Sequence, residues 1–291
     1  MSSAPSHQRD RSRGASPVLP FGAFYGRPAR RRSAPGLEVS VLDADPHRIV
    51  ERHAHEEPHF VLVLEGLYVS SAANAPAVSS APLLVYNPAG TVHRDRFEAH
   101  DSARGRRFEG RFLTLSIDAS LADAAAADGR LPSVATVLAD PTSLATARRL
   151  AHAVSAEHDE FAMHAESLAL TLVASIAAGS DGGAGSPPRW LAVARELLDD
   201  RCAEAISIAE LARAAGVHPV HLARVFRQHV GCSPSDYLRR RRLERAAVLL
   251  RETRRPQSDI ALHCGFGDQS HFANAFKRFA GATPREYRRQ G

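Results

Sequence analysis

The sequence predicts an α+β protein of two domains, a small β-barrel with two flanking helices followed by an all-α unit. Three observations predict it. The chain has 291 residues, 44% hydrophobic and 24% charged, which suits two soluble globular cores. Short apolar runs separated by turn residues fill residues 37–117, and helical periodicity takes over from residue 141. The last hundred residues contain one pattern twice. The first copy reads Leu211-Ala212, Ala215-Gly216-Val217, Leu222, Phe226, Gly231, Ser233-Pro234 and Tyr237. The second reads Ile260-Ala261, Cys264-Gly265-Phe266, Phe272, Phe276, Gly281, Thr283-Pro284 and Tyr287. The offset is 49 residues up to the central glycine and 50 from Leu222/Phe272 onward. One structural unit is therefore used twice.

The net charge of +5 conceals a division along the chain. Residues 1–36 carry a net +6, residues 37–186 a net −9 and residues 187–291 a net +8. A basic C-terminal region beside an acidic middle implies one part for a polyanion and another for something else. No apolar run is long enough to span a bilayer, and the N-terminus lacks the apolar segment of a secretory signal. The three cysteines, Cys202, Cys232 and Cys264, are too few for a disulfide framework and read as small buried side chains in a reducing compartment. A cytoplasmic location is expected, with no membrane as partner.

Residues 1–36, rich in Ser, Pro, Gly and Arg, read as a disordered basic tail. Strands are expected at Leu37–Leu42, Ile49–His53, Phe60–Val69, Leu83–Tyr86, Val92–Phe97 and Phe108–Ile117, separated by Asp45-Pro46, Asn74, Asn87-Pro88, Gly90 and Gly105. Short strands at this spacing suggest a small antiparallel barrel or sandwich. Two helices follow, at 141–160 and 162–179. The second, with Leu168, Leu170, Leu172, Val173 and Ile176, is apolar on much of its circumference and must bury more than one face. The barrel, the neighbouring helix and a second copy of the chain are candidates to cover it, so helices 141–179 are expected to form a homodimer. The expected domains are the tail 1–36, an acidic β-rich domain with the dimerisation helices at 37–178, a Gly/Ser/Pro-rich linker 179–188, and a basic helical domain 189–291.

Seven helices are expected in that last domain, at about 189–201, 207–214, 218–229, 234–251, 256–263, 268–279 and 284–289. Ser207, Ser258 or Asp259, and Asp268 are candidate N-caps. In each copy a short helix ends at Gly, an apolar residue follows, and a second helix begins. That is the layout of a helix-turn-helix, which lays its second helix in the DNA major groove. In the second copy Phe272, Phe276 and Phe279 form the inward stripe, leaving Gln269, Ser270, Ala273, Asn274 and Lys277 outside. In the first copy Leu222, Val225 and Phe226 face in, while Val220, Ala223, Arg224 and Arg227 face out. Arg suits guanine, Asn and Gln suit adenine, and Ala or Val suits a thymine methyl. Arg227, Lys277 and Arg278 suit phosphates.

The run Arg242-Leu243 … Ile260-Ala261 … Cys264-Gly265-Phe266 … Gln269-Ser270-His271-Phe272 … Phe276-Lys277-Arg278-Phe279 … Thr283-Pro284-Arg285-Glu286-Tyr287 resembles the signature of AraC/XylS transcription regulators. The resemblance covers residues 189–289. It implies a seven-helix domain with two recognition helices in successive major grooves of double-stranded promoter DNA, an activator more often than a repressor, and RNA polymerase as a protein partner. His218-Pro219 departs from it, standing where Ser usually opens the first recognition helix.

His53-Ala54-His55, then His59 and Gly66, then Pro88-Ala89-Gly90-Thr91-Val92-His93 resemble the two motifs of the cupin barrel. His59 stands where that family places Glu, and two upstream glycines are missing. The resemblance makes His53, His55, His59 and His93 the candidate site for a small-molecule effector or a divalent metal, with no cofactor required for DNA binding. His53 and His55 share a strand face, and imidazoles suit Zn²⁺, Ni²⁺, Cu²⁺ or Fe²⁺. The leading expectation is thus a sequence-specific transcription regulator with an effector-sensing cupin-like domain, and not an enzyme. The alternative is a cupin metalloenzyme or metal sensor carrying a DNA-binding module.

Overall fold

The computed structural model describes residues 16–45, 47–72, 78–98, 100–102, 105–107, 110–128, 131–156, 161–177 and 187–290. The N-terminal half runs β1 (Val18–Leu19), β2 (Arg27–Ala34), β3 (Leu37–Asp43), β4 (Ala54–His55), β5 (His59–Val69), β6 (Val78–Ser80), β7 (Leu83–Asn87), β8 (Arg96–Glu98), β9 (His100–Ser102), β10 (Gly105–Arg107) and β11 (Gly110–Ile117). Then come α1 (Ala119–Asp128), β12 (Thr136–Val137), α2 (Pro141–Ser155) and α3 (Phe161–Ala177). The C-terminal half is helical throughout: α4 (Arg189–Asp200), α5 (Ile208–Ala215), α6 (Pro219–Val230), α7 (Pro234–Glu252), α8 (Gln257–His263), α9 (Gln269–Ala280) and α10 (Pro284–Gln290).

The main sheet is antiparallel, in the order β12-β7-β5-β11-β3-β2. The far end of β5 pairs with β6 and β8. Strand β5 is apolar at consecutive positions because both sheet faces are covered. Phe60 and Leu62 join Val39, Leu84, Leu113 and Leu115 in a core shared with the helices. Val61 and Val63 point the other way, into smaller clusters with Phe112 and with Tyr68, Leu83 and Val85.

The sheet corrects the expected cupin-like barrel: among the described residues its edges, β12 and β2, do not meet. The strands that would close a barrel are too short. Residues 49–53 form no strand, and the histidine-bearing β4 has only two residues, paired in parallel with β1. His53 meets His93 through an isolated bridge. The charged and proline-containing stretch 44–58 cannot sustain a longer ladder.

The basic tail is also corrected in part. Residues 1–15 lie outside the described region, but Arg27–Ala34 is an edge strand paired with β3. Its four arginines and largely exposed pattern hide it from an apolar-alternation reading, and charge is how an edge strand avoids further pairing. Helix α1 is a further addition. Its alanine run is a strong helix former, and Asp118 accepts a hydrogen bond from Leu121 N–H at 2.8 Å at its start.

Helices α2 and α3 match the expected positions up to Ser155 and Ala177; residues 157–160 and 178–186 lie outside the described region. The apolar circumference of α3 is covered within one chain. It packs on α2, α1, α5, α6 and α7, so its composition no longer calls for a second copy. One continuous core therefore links the N-terminal sheet and helices to Leu191, Leu198, Leu211, Leu222, Phe226 and Leu238. The second helix-turn-helix keeps its own core, built on Leu250, Ile260, Phe266, Phe272 and Phe276.

The local logic of both repeats is visible. Ser207 and Glu210 form a reciprocal capping box on α5. Gly216 ends that helix in the left-handed region, at φ 68°, where a side chain is strained. Gly265 does so in the second repeat at φ 80°, and a Cβ there would lie 2.8 Å from the Ala203 carbonyl oxygen. Helix α8 departs from expectation, because its N-cap is Pro256 and neither Ser258 nor Asp259 caps it. Phe279 departs too: it is 42% exposed, whereas Phe272 and Phe276 are buried. Phe279 lies on the same helical face, about 20° from Phe272, but it falls in the last turn of α9, beyond the reach of the core. Phe276→Ala is therefore expected to destabilise the second repeat by about 3–5 kcal/mol, and Phe279→Ala by under about 0.5 kcal/mol. Urea unfolding of the two variants checks this.

Candidate nucleic-acid interface and ligand site

The second recognition helix, α9, presents the expected face. Asp268 caps it, accepting from His271 N–H at 2.8 Å. Gln269, Ser270, Asn274 and Lys277 are exposed, Ala273 is half-buried, and Phe272, Ala275 and Phe276 hold the helix down. Lys277 and Arg278 lie in its last turn, where they also oppose the negative end of the helix dipole.

The first recognition helix, α6, differs. His218 serves as its cap, with Nδ1 accepting from Val220 N–H at 3.4 Å, so imidazole replaces the usual hydroxyl. Arg227 is exposed and Arg224 half-buried. Val220 and Ala223, expected to face outward, are 0% and 1% exposed. Helices α1 and α3 of the N-terminal half pack on α6 and cover these positions.

Polar contacts fix this docking. Glu166 is the one carboxylate within α3. It is 8% exposed and accepts hydrogen bonds from Ile208 N–H at 2.9 Å and Ala209 N–H at 3.2 Å. It thus sits on the positive N-terminus of α5. Burial pushes its carboxyl pKa up, and those two bonds oppose the shift. Beside it, Asp236 of α7 receives Arg149 of α2 at 3.0 Å, and Arg239. His164 of α3 meets Ser235 at 3.0 Å. Burial holds the His164 imidazole down to about 4, with Arg239 adding to the effect. A cleft of about 770 Å³ runs between the halves, lined by Arg31 and Arg32 of β2, His164, Glu166, Arg239 and Arg242 among others. Glu166 and Arg149 were not among the residues singled out from sequence. A lone acid inside an apolar helix was the available signal, since such a group is rarely buried without partners.

The four histidines gather on the sheet face opposite the helices, and all are buried. His53, His55 and His93 each offer a ring nitrogen within 4.8 Å of the other two. His59 lies beside them, its ring centroid 4.2 Å from that of His55, but its Nε2 faces the Asn87 amide nitrogen at 3.3 Å. Phe24 and Tyr25, from the segment before β2, cover the rings of His55 and His53 at 4.5 and 4.7 Å. Burial lowers the His55 pKa to about 2 and the His59 pKa to about 3, with the neighbouring imidazoles adding to both shifts. A cavity of about 320 Å³ opens on His53, His55, His93, Tyr68 and Asp95.

A family model described as a helix-turn-helix domain matches residues 211–290. The transcriptional activator RhaS of Enterobacter sp. strain 638 is 42% identical over 91 residues, 31% of this chain and 33% of the relative. The transcriptional activator RhaR of Yersinia pestis bv. Antiqua (strain Angola) is 49% identical over 69 residues, 24% of each. The chain thus spans a third or less of the length of these curated relatives. A solved transcriptional regulator of Chromobacterium violaceum, described as containing an AraC-type DNA-binding domain, is 36% identical. It covers 35% of this chain and 90% of that one, with a TM-score of 0.34.

Glu166→Ala would leave the first turn of α5 without its partner and loosen α3 from α6. Hydrogen exchange is expected to show faster exchange at Ile208, Ala209 and along α6, with α9 unchanged. Unchanged exchange in α6 would show that Glu166 does not hold the two halves together.

Proposed function

We propose that this chain, whose residues 211–290 carry a helix-turn-helix domain of the AraC/XylS type, is a sequence-specific DNA-binding transcription regulator. The observation that carries this reading is the face of α9. Gln269, Ser270, Asn274 and Lys277 stand exposed on a capped, well-anchored helix within a region of net charge +8. Amide side chains read adenine edges, and cations at the flank hold phosphates. The matched relatives are activators, which favours activation and RNA polymerase as a partner. No described helix is long and apolar enough to cross a membrane.

The N-terminal half is read as the sensor. It holds α6 with Val220 and Ala223 against the shared core, so that α9 alone presents its full recognition face. Release of α1 and α3 from α6 would bring the second recognition helix into play. An effector that binds the released form better than the docked one would shift the balance by its differential affinity.

Binding of the full chain to its own promoter region, measured against salt, tests the reading. Asn274→Ala is expected to cost about 1–3 kcal/mol at one base position and to relax preference there. Lys277→Ala is expected to weaken all sequences alike and to reduce the log–log salt slope by about 0.9. A folded chain without salt-sensitive binding would contradict the proposal.

A further inference from the structure

Two of the three cysteines mark a modification site. We propose that Cys202 and Cys264 form a reversible disulfide when the protein meets hydrogen peroxide, joining the first helix-turn-helix to the second. The test below reads sulfur and not DNA, so it stands or falls apart from the regulator reading.

The two cysteines flank a point of contact between distant segments. Gly265 lies so close to Ala203 that a Cβ on it would stand 2.8 Å from the Ala203 carbonyl oxygen. Cys202, in the turn after α4, and Cys264, at the end of α8, are the residues just before that pair. Two arginines of α7 bridge the same segments. They are three residues apart and so share a helix face. Arg242 Nε donates to the Cys202 carbonyl oxygen at 2.7 Å and would lie 2.9 Å from a Cβ on Gly265. Arg245 Nη1 donates to Cys202 Sγ at 3.6 Å, and its Nη2 donates to Nε2 of His263, next to Cys264, at 3.1 Å. Segments held in contact are what a disulfide needs, since its Cα atoms must lie within about 7 Å.

Both thiols are free, and both are buried. The cleft of about 770 Å³ gives a small oxidant its route inward, because Ala203, Arg242 and Gly265 line it. The two thiols differ in chemistry. Cys202 has the Arg245 guanidinium at its sulfur, and a cation there suits the anionic form that attacks. Burial pushes the Cys264 thiol up to about 11, with Arg245 opposing and Cys202 adding to the shift. Cys264 therefore keeps its proton until a partner sulfur is presented.

The Cys202 sulfur, as thiolate, attacks one oxygen of hydrogen peroxide. The O–O bond breaks, a sulfenic acid forms, and the departing hydroxide leaves as water with the proton that Cys202 gave up. The Cys264 sulfur then attacks the Cys202 sulfur. The S–S bond forms, the S–O bond breaks, and hydroxide leaves with the Cys264 proton as a second water. Two thiols have lost two electrons, and the peroxide has gained them. The bond closes across the seam between two cores. Cys202 belongs to the core that the first repeat shares with the N-terminal half, and Cys264 to that of the second repeat. Oxidation thus ties α9 to the first repeat, and reduction by a dithiol frees it. In a reducing compartment such a bond is transient and serves sensing.

The experiment uses the full chain, reduced, freed of reductant and exposed to hydrogen peroxide under native conditions. The expected product is an intact mass lower by two hydrogens, a linked peptide pair containing Cys202 and Cys264, and a free thiol at Cys232. Dithiothreitol is expected to restore all three thiols. In Cys264→Ser the reaction is expected to stop at a sulfenic acid on Cys202, trapped by dimedone. In Cys202→Ser, oxidation of Cys264 is expected to be about tenfold slower or more. Circular dichroism controls for folding, and the Cys→Ala variants serve if either serine variant does not fold. Free thiols at both positions after peroxide treatment, a link through Cys232 instead, or a link that forms only in urea would overturn the site. Unslowed oxidation of Cys264 in the folded Cys202→Ser variant would overturn Cys202 as the attacking thiol.

Discussion

A single buried carboxylate, Glu166, sets the relation between the two halves of this protein. An ionised carboxylate in an apolar setting costs several kcal/mol unless its oxygens are satisfied. Here they accept the first two N–H groups of α5, which lack partners in any helix. Each group solves the other's problem, and the pair ties α3 to the first helix-turn-helix at the start of α5. The rest follows by packing. With α3 held there, Leu168 and Leu172 join the core that contains Val220, Leu222, Ala223 and Phe226. The first recognition helix therefore has both its inner and its outer apolar positions buried. The second repeat has its own core and stays exposed.

The same sheet separates two kinds of chemistry. Its helical face carries the docking surface, and its opposite face carries the histidines. The segment around β2 touches both. Phe24 and Tyr25 cover the imidazoles, and a few residues later Arg31, Arg32 and Pro35 line the cleft between the halves. Arg32 also donates to the Ala156 carbonyl at the end of α2, at 2.6 Å. A rearrangement of the rings beneath Phe24 and Tyr25 would thus act on an edge strand that ends at the docking surface. An edge strand with one partner is the part of a sheet that shifts at least cost.

The C-terminal half was legible because every level of its code agrees. Apolar positions four apart, a capping box, glycines in the left-handed region and a repeated register all point to the same seven helices. The face of α9 was legible for the same reason. The exposure of the first recognition face was not legible, since what covers Val220 and Ala223 is encoded more than forty residues earlier, in α1 and α3. Strand β2 escaped notice because its information is charge rather than alternation. The barrel reading carried over a motif whose chemistry is present, with His53, His55 and His93 gathered together, into a scaffold that the short strand β4 does not close. His59 occupies the position expected of a ligand, yet its Nε2 is turned to Asn87, a pairing set by the β5–β7 register. Register of that kind is a long-range property that spacing alone cannot supply.

The central claim is that the docked N-terminal half withholds one of two recognition helices. The most direct measurement is the length of DNA protected from hydroxyl-radical cleavage on the promoter, for the wild-type chain and for a Glu166→Ala/Arg149→Ala variant. The wild-type chain is expected to protect one major-groove segment, and the variant to extend protection by one helical turn, about 10 bp. Wild-type protection of two successive grooves, with no extension in the variant, would contradict it.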